Sequence, residues 1–169
     1  VDIDEGSKLI AVAQIGDVKY VSIQEAVNAA RNGDTIVVVK DHDLACDNQT
    51  LILVAGKKIT IDLNGKQITV AAKGTTTRFV FRTEKGATLT VTDSVGGGTV
   101  TTDDSSVLYY MFCNKGTMTV AGGTYTLSAV NGGAMFFSTN GNMEVTGGTF
   151  TQTTSGWMFN TDLNGVYKI

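Results

Sequence analysis

Nine residues recur almost unchanged 25 positions apart: "MTVAGGTYT" from Met118 to Thr126, and "MEVTGGTFT" from Met143 to Thr151. A period of that size is the signature of one supersecondary unit stacked on copies of itself, because a single copy cannot bury its apolar face alone. The same layout extends upstream in looser form. "KITIDLNGKQIT" (58–69) and "TLTVTDSVGGGTVT" (88–101) each join two alternating strands through a turn rich in Asn and Gly. Between these segments lie four others: "RFVFRTEKG" (78–86), "YMFCNKG" (110–116), "AMFFSTNG" (134–141) and "WMFNTDLNG" (157–165). Anchoring them on Phe81, Phe112, Phe137 and Phe159 gives steps of 31, 25 and 22 residues.

Composition agrees with many short strands and tight turns. The chain has 169 residues, 20 glycines, no proline and only 17% charged side chains. That length suits one domain, 1–169, with N-terminal strands and a helix over 1–34 and repeated coils over 35–169. The net charge of −3 and the absence of a Lys/Arg cluster argue against nucleic acid or an acidic membrane as a partner. No apolar run reaches the roughly 18 residues a membrane-spanning helix needs. The chain opens at Val1, without a starting methionine or signal peptide, and so reads as a mature or excised fragment.

One helix stands out. In "YVSIQEAVNAARNGDTIVVV", Ser22 and Glu25 have capping-box spacing. Ile23, Ala26, Val27 and Ala30 follow on one narrow stripe of mostly small side chains, and Asn32-Gly33 supplies a stop. This predicts a helix over 23–32. Beyond it, like residues keep one order in every repeat, so like strands can stack on like. Met118 should lie over Met143, and Tyr125 over Phe150. The pattern predicts a parallel β-solenoid with two or three strands per coil; an antiparallel sandwich or meander is the main rival.

The helix sequence, followed by "ITIDLNGKQIT" and the "GGTYT" and "GGTFT" coils, resembles the right-handed parallel β-helix of the pectin-lyase-like superfamily. It looks most like the β-helical domains of large bacterial cell-surface proteins. The resemblance covers the chain from about Gly16 onward. It implies about five coils, capped at the N-terminal end by the amphipathic helix. The superfamily holds polysaccharide lyases, glycoside hydrolases and esterases as well as adhesins and tailspikes, so fold does not decide function.

Catalytic signatures are sparse. Polygalacturonase-like members carry Asn-Thr-Asp, then an aspartate pair, Gly-His-Gly and Arg-Ile-Lys. Asn160-Thr161-Asp162 matches the first element, but seven residues follow it and the lone histidine, His42, lies far upstream. Lyase-like members need clustered acids for calcium and a basic residue. Asp103-Asp104 and Asp41-His42-Asp43 are the densest acidic groups, and neither supplies the six to eight oxygens calcium takes. His42 has no second histidine or cysteine pair for zinc. No catalytic residue, metal or cofactor is therefore expected. Cys46 and Cys113 sit about two coils apart, farther than a disulfide reaches, and are expected to be free thiols.

Two surface features remain. Thr99-Val100-Thr101, Thr124-Tyr125-Thr126 and Thr149-Phe150-Thr151 predict a threonine ladder, with Gln67-Ile68-Thr69 as an imperfect fourth rung. A flat array of this kind is what ice-binding solenoids present, and β-branched residues also favour exposed strands generally. The Phe-anchored strands are apolar at consecutive positions, whereas side chains on a strand alternate between faces. If the anchor phenylalanines point inward, Val80, Met111, Phe136 and Met158 form an outward apolar column, with Arg82 beside it facing a carboxylated sugar or Glu84. The opposite parity exposes Phe79, Tyr110, Met135 and Trp157 instead. Either stripe is a candidate contact surface unless the intervening loops fold over it. The final "GVYKI" aligns with the first strand of a coil and invites end-to-end self-association.

These readings converge on a non-catalytic module of an extracellular or surface-attached bacterial protein. It is expected to bind glycan or a host protein in adhesion, or to space other modules. A degenerate or truncated carbohydrate-active enzyme is the alternative.

Overall fold

The computed structural model describes residues 10–46, 48–72, 77–103, 108–128, 132–153, 155–162 and 164–169, without the side chains of residues 45, 46 and 72. It is a parallel β-solenoid of about five turns with three strands per coil. The first side stacks β3 (Thr35–Val38), β6 (Lys58–Asp62), β9 (Thr88–Thr92) and the starts of β12 (Thr117–Leu127) and β14 (Asn142–Gln152), then β16 (Val166–Lys168). The second stacks β4 (His42–Cys46), β7 (Gln67–Ala72), β10 (Thr99–Thr102) and the ends of β12 and β14. The third stacks β5 (Thr50–Val54), β8 (Arg78–Thr83), β11 (Tyr109–Asn114), β13 (Gly133–Thr139) and β15 (Trp157–Asp162). The two closely matching repeats are the two long strands, β12 and β14. Met118 pairs with Met143 and Tyr125 with Phe150, as the repeat predicts. Every pairing within the coils is parallel, which excludes the sandwich.

Antiparallel pairing occurs among the described strands only at the N-terminal end. There β1 (Ala13–Ile15) and β2 (Val18–Tyr20) form a hairpin, and β1 lies along the edge of β3. Helix α1 follows over Ile23–Ala29, and the Ser22 hydroxyl accepts the Glu25 N–H at 3.1 Å. Ile23, Ala26, Val27 and Ala30 are all buried. The helix is three residues shorter than its sequence pattern, because Ala30 is already extended. A side chain from beyond β5 holds its end: the Lys57 ammonium donates to the carbonyls of Val27, Asn28 and Ala30 at 2.9, 3.1 and 2.9 Å. Cations are favoured at helix C-termini, where carbonyls lack partners. Gln24 bonds the Leu53 N–H and C=O at 2.7 and 3.1 Å, so one amide side chain mimics a neighbouring strand along β5.

The interior is a set of ladders, each repeating one kind of side chain from coil to coil. Ile36, Ile61, Val91, Val120 and Val145 align along the first side. On the third side Phe81, Phe112, Phe136 and Phe159 stack face to face at 5.4, 5.2 and 4.9 Å between centroids. Tyr125 and Phe150 cross the core to meet them edge-on. At the next inward position the ladder is polar: Thr83, Asn114, Ser138 and Thr161. Asn114 is fully buried and satisfied; it accepts from Thr83 Oγ1 and the Gly116 N–H, and donates to the carbonyls of Gly116 and Asn142 and to Ser138 Oγ. A second polar clasp links the turns after β6 and β9. Asp62 accepts the Ser94 N–H of the next coil at 2.9 Å, and Asp93 accepts the Gly65 N–H of the preceding one at 2.8 Å. These carboxylates hold coils together through buried or half-buried hydrogen bonds, which are costly to break.

The outward column expected at Val80, Met111, Phe136 and Met158 does not form. Val80, Met111 and Phe136 are buried, and only Met158 in the last coil reaches the surface. The expectation failed on its premise of strict alternation. In β8 the burial sequence is in, out, in, in, out, in, so Val80 and Phe81 both point inward. The ladder skips its bridge at this point in every coil: Phe79 opposes Tyr110 and Phe81 opposes Phe112, with no pairing recorded between Val80 and Met111. The pleat breaks where the strand bends around the core, and two successive side chains are drawn inside. The anchoring was also one residue out in β13, where Phe136, not Phe137, stacks on Phe112. Of the opposite parity, Phe79 and Tyr110 are half-buried and Trp157 is exposed, whereas Met135 is buried.

Candidate binding face

Breaking the pleat leaves two outward columns on the third side, one on each flank of the bend. The first runs Phe79, Tyr110, Ala134, Trp157, with Ala134 itself fully buried. The second runs Leu53, Arg82, Cys113, Phe137, Asn160. Phe79 and Tyr110 are half-buried and stack at 5.4 Å, and Phe137 leans across from the second column onto Tyr110 at 5.0 Å and 41°. Trp157 is 65% exposed. Aromatic side chains therefore mark this face in coils two to five: Phe79, Tyr110 and Trp157 from the opposite parity, and Phe137 from the second column.

Arg82 lies in the second column, as its sequence position implied. Its Nε sits 2.8 Å from Glu84 Oε1, and its guanidinium carbon lies 5.1 Å from the centre of the Phe79 ring. The charge is thus already shared between a carboxylate and a ring, an arrangement worth on the order of 1 kcal/mol in each contact. It is poorly placed to recognise an acidic sugar. Its neighbour Cys113 is a free, buried thiol. Burial pushes that thiol up to about 11 against the opposing pull of Arg82 and Lys115, which keeps it protonated and unreactive at neutral pH. The Cys46 side chain lies outside the described residues; its strand β4 and the Cys113 strand belong to different sheets.

The sequence-level catalytic candidates are scattered. In Asn160-Thr161-Asp162, the Thr161 hydroxyl donates to the carbonyls of Ser138 and Gly165 at 3.0 and 3.2 Å, so it serves the β13–β15 stack, and Asp162 is exposed. Asp103 accepts the Tyr109 hydroxyl at 2.7 Å; Asp104 lies outside the described residues. Asp41 accepts the Gln67 N–H at 2.8 Å and extends the threonine side by one rung. Among the described residues, no three His, Cys, Asp or Glu side chains gather within reach of one metal ion. The threonine ladder itself is present: Thr69, Thr101, Thr126 and Thr151 align, as do Gln67, Thr99, Thr124 and Thr149.

Two of the clefts among the described residues bear on a binding site. The larger, about 570 Å³, runs between α1 and the starts of β4 and β5. Two of its polar lining residues, Ser22 and Gln24, are committed to the helix cap and to the Leu53 backbone. The other, about 450 Å³, opens on the aromatic face and gathers residues from three coils: Leu108 and Tyr110, then Gly132 and Gly133, then Ser155, Gly156, Trp157 and Asn160. Among the described residues no charged side chain lines it. Sequence reasoning found Tyr110 and Trp157 as members of the second of two parities it left open. The glycines between them gave a signal that went unread. Comparison of the chain with protein-family models, with curated proteins and with solved structures finds no match.

Proposed function

We propose that this chain is a non-catalytic recognition module of a bacterial surface or secreted protein, with glycan as its first ligand. In this reading the solenoid is right-handed, α1 and the β1–β2 hairpin cap its N-terminal end, and the pectin-lyase-like resemblance reflects the same architecture. The observation that carries the reading is the outward aromatic face of Phe79, Tyr110, Phe137 and Trp157 beside a cleft that no charged side chain lines among the described residues. Exposed aromatic rings in a concave setting favour ligands with one apolar face and hydroxyls around it. A rigid stack of coils also suits a spacer, and the same face is open to a host protein. Affinity gel electrophoresis through embedded plant, microbial and mucin-type polysaccharides tests the reading. Retardation by at least one of them is expected. A cleared track in the polysaccharide stain would instead reopen the enzyme alternative, and unchanged mobility across the panel would sink the glycan reading in favour of a protein partner.

Self-association is the second proposal about partners. The last coil exposes Met158, Phe159 and Ile169 along an apolar groove of about 410 Å³, with Val166 exposed nearby. In this reading two copies meet last coil to last coil, as a two-fold pair. Sedimentation velocity should show a dimer that Phe159→Asp returns to monomer. A monomer at all concentrations up to about 100 μM, the low-affinity range for such contacts, would exclude it.

A further inference from the structure

We infer that the cleft between Tyr110 and Trp157 is a subsite for one neutral pyranose residue, which rests on the glycan reading above. Tyr110 and Trp157 occupy the same outward column two rungs apart, separated by the Ala134 rung. Two strand steps place them about 9–10 Å apart along the solenoid axis. The aromatic column is interrupted at that rung. Gly132 precedes its strand and Gly133 opens it, and Gly156 precedes Trp157, so three contributors to the cleft bring no side chain. The glycines have a structural reason, since a Cβ at any of them would crowd a neighbouring coil. Their consequence is a notch with an aromatic ring on each side.

Chemistry narrows the occupant. A planar aromatic ligand would need only rings, yet the lining also includes Asn160, Ser155 and Tyr110, whose side chains carry an amide and two hydroxyls. A pyranose offers C–H bonds on its faces and hydroxyls around its rim, which matches rings at the walls and polar groups at the edge. Among the described residues the lining carries no Lys, Arg, Asp or Glu, and the nearby Arg82 is paired with Glu84. A uronate or sialic acid would lose its carboxylate hydration without gaining a partner. The ligand is accordingly neutral: a hexose or N-acetylhexosamine.

Trp157 is the only tryptophan of the chain, so its emission reports on the notch alone. The intact chain is titrated with glucose, galactose, mannose, N-acetylglucosamine and N-acetylgalactosamine, and with glucuronate as the acidic control. At least one neutral sugar should change the emission saturably, with Kd near the millimolar range expected of so few contacts, and glucuronate should not. Tyr110→Ala should weaken that binding at least tenfold. Because Tyr110 is half-buried and stacked, Trp157→Ala serves as the second variant: its side chain is exposed, the fold should persist, and saturation-transfer NMR should lose the sugar signal. If polysaccharide gels retard the chain while all six sugars leave Trp157 silent, or if neither variant alters sugar binding, the subsite is overturned and the glycan reading survives. Silence in both experiments overturns the two together.

Discussion

Phe136→Ser should lower the unfolding free energy by about 3–5 kcal/mol, the cost seen when large aromatic side chains are truncated in a core. Phe136 is 1% exposed and is gripped on three sides: by Phe112 at 5.2 Å, by Phe159 at 4.9 Å, and edge-on by Phe150 at 4.8 Å. Losing it opens a hole in the middle of the aromatic ladder and leaves a hydroxyl there without an assured partner. Since small domains are stable by only about 5–15 kcal/mol in total, the variant should be near its folding limit at room temperature. Urea unfolding followed by circular dichroism measures the loss. A change below about 0.5 kcal/mol, the range of ordinary surface substitutions, would mean that Phe136 points outward after all and that the break in the pleat is misplaced.

Gly133→Ala is expected to be nearly as damaging, for a different reason. A Cβ at this position would lie 1.9 Å from the Tyr109 carbonyl oxygen, on the strand of the preceding coil, at a backbone φ of +120°. Both atoms belong to the main-chain ladder, so neither can swing aside as a flexible side chain would. Unfavourable backbone conformation and forced overpacking each cost about 1–3 kcal/mol, which places the expected loss at about 2–6 kcal/mol. Gly86→Ala separates the two effects. Gly86 also has a positive φ, +83°, but nothing lies within 4 Å of where its Cβ would be. Its loss should reflect the backbone alone, about 1 kcal/mol. Equal losses in the two variants would show that the third and fourth coils are not in van der Waals contact at Gly133.

Much of this protein was legible in its sequence. The nine-residue repeat set the pairing of Met118 with Met143 and of Tyr125 with Phe150, because parallel stacking places equal positions of successive coils side by side. The Ser22 cap and the buried stripe of α1 were equally plain, since both follow from contacts within one turn of helix. What failed was every step that assumed local regularity would continue. Strand alternation predicted one outward apolar column, yet closing a coil of three short sides bends the third strand and draws two adjacent residues inside. The helix was read through to Asn32, but its end is set by Lys57, a residue from beyond the first coil. The candidate cleft was invisible for the same reason. Its walls come from residues 108–110, 132–133 and 155–160, which no local pattern links and only stacking brings together. Sequence by itself determined which strands lie on which, because like-on-like pairing is written in the period. The tertiary structure alone decided which side chains face out, because that depends on where each coil must bend to close around its core.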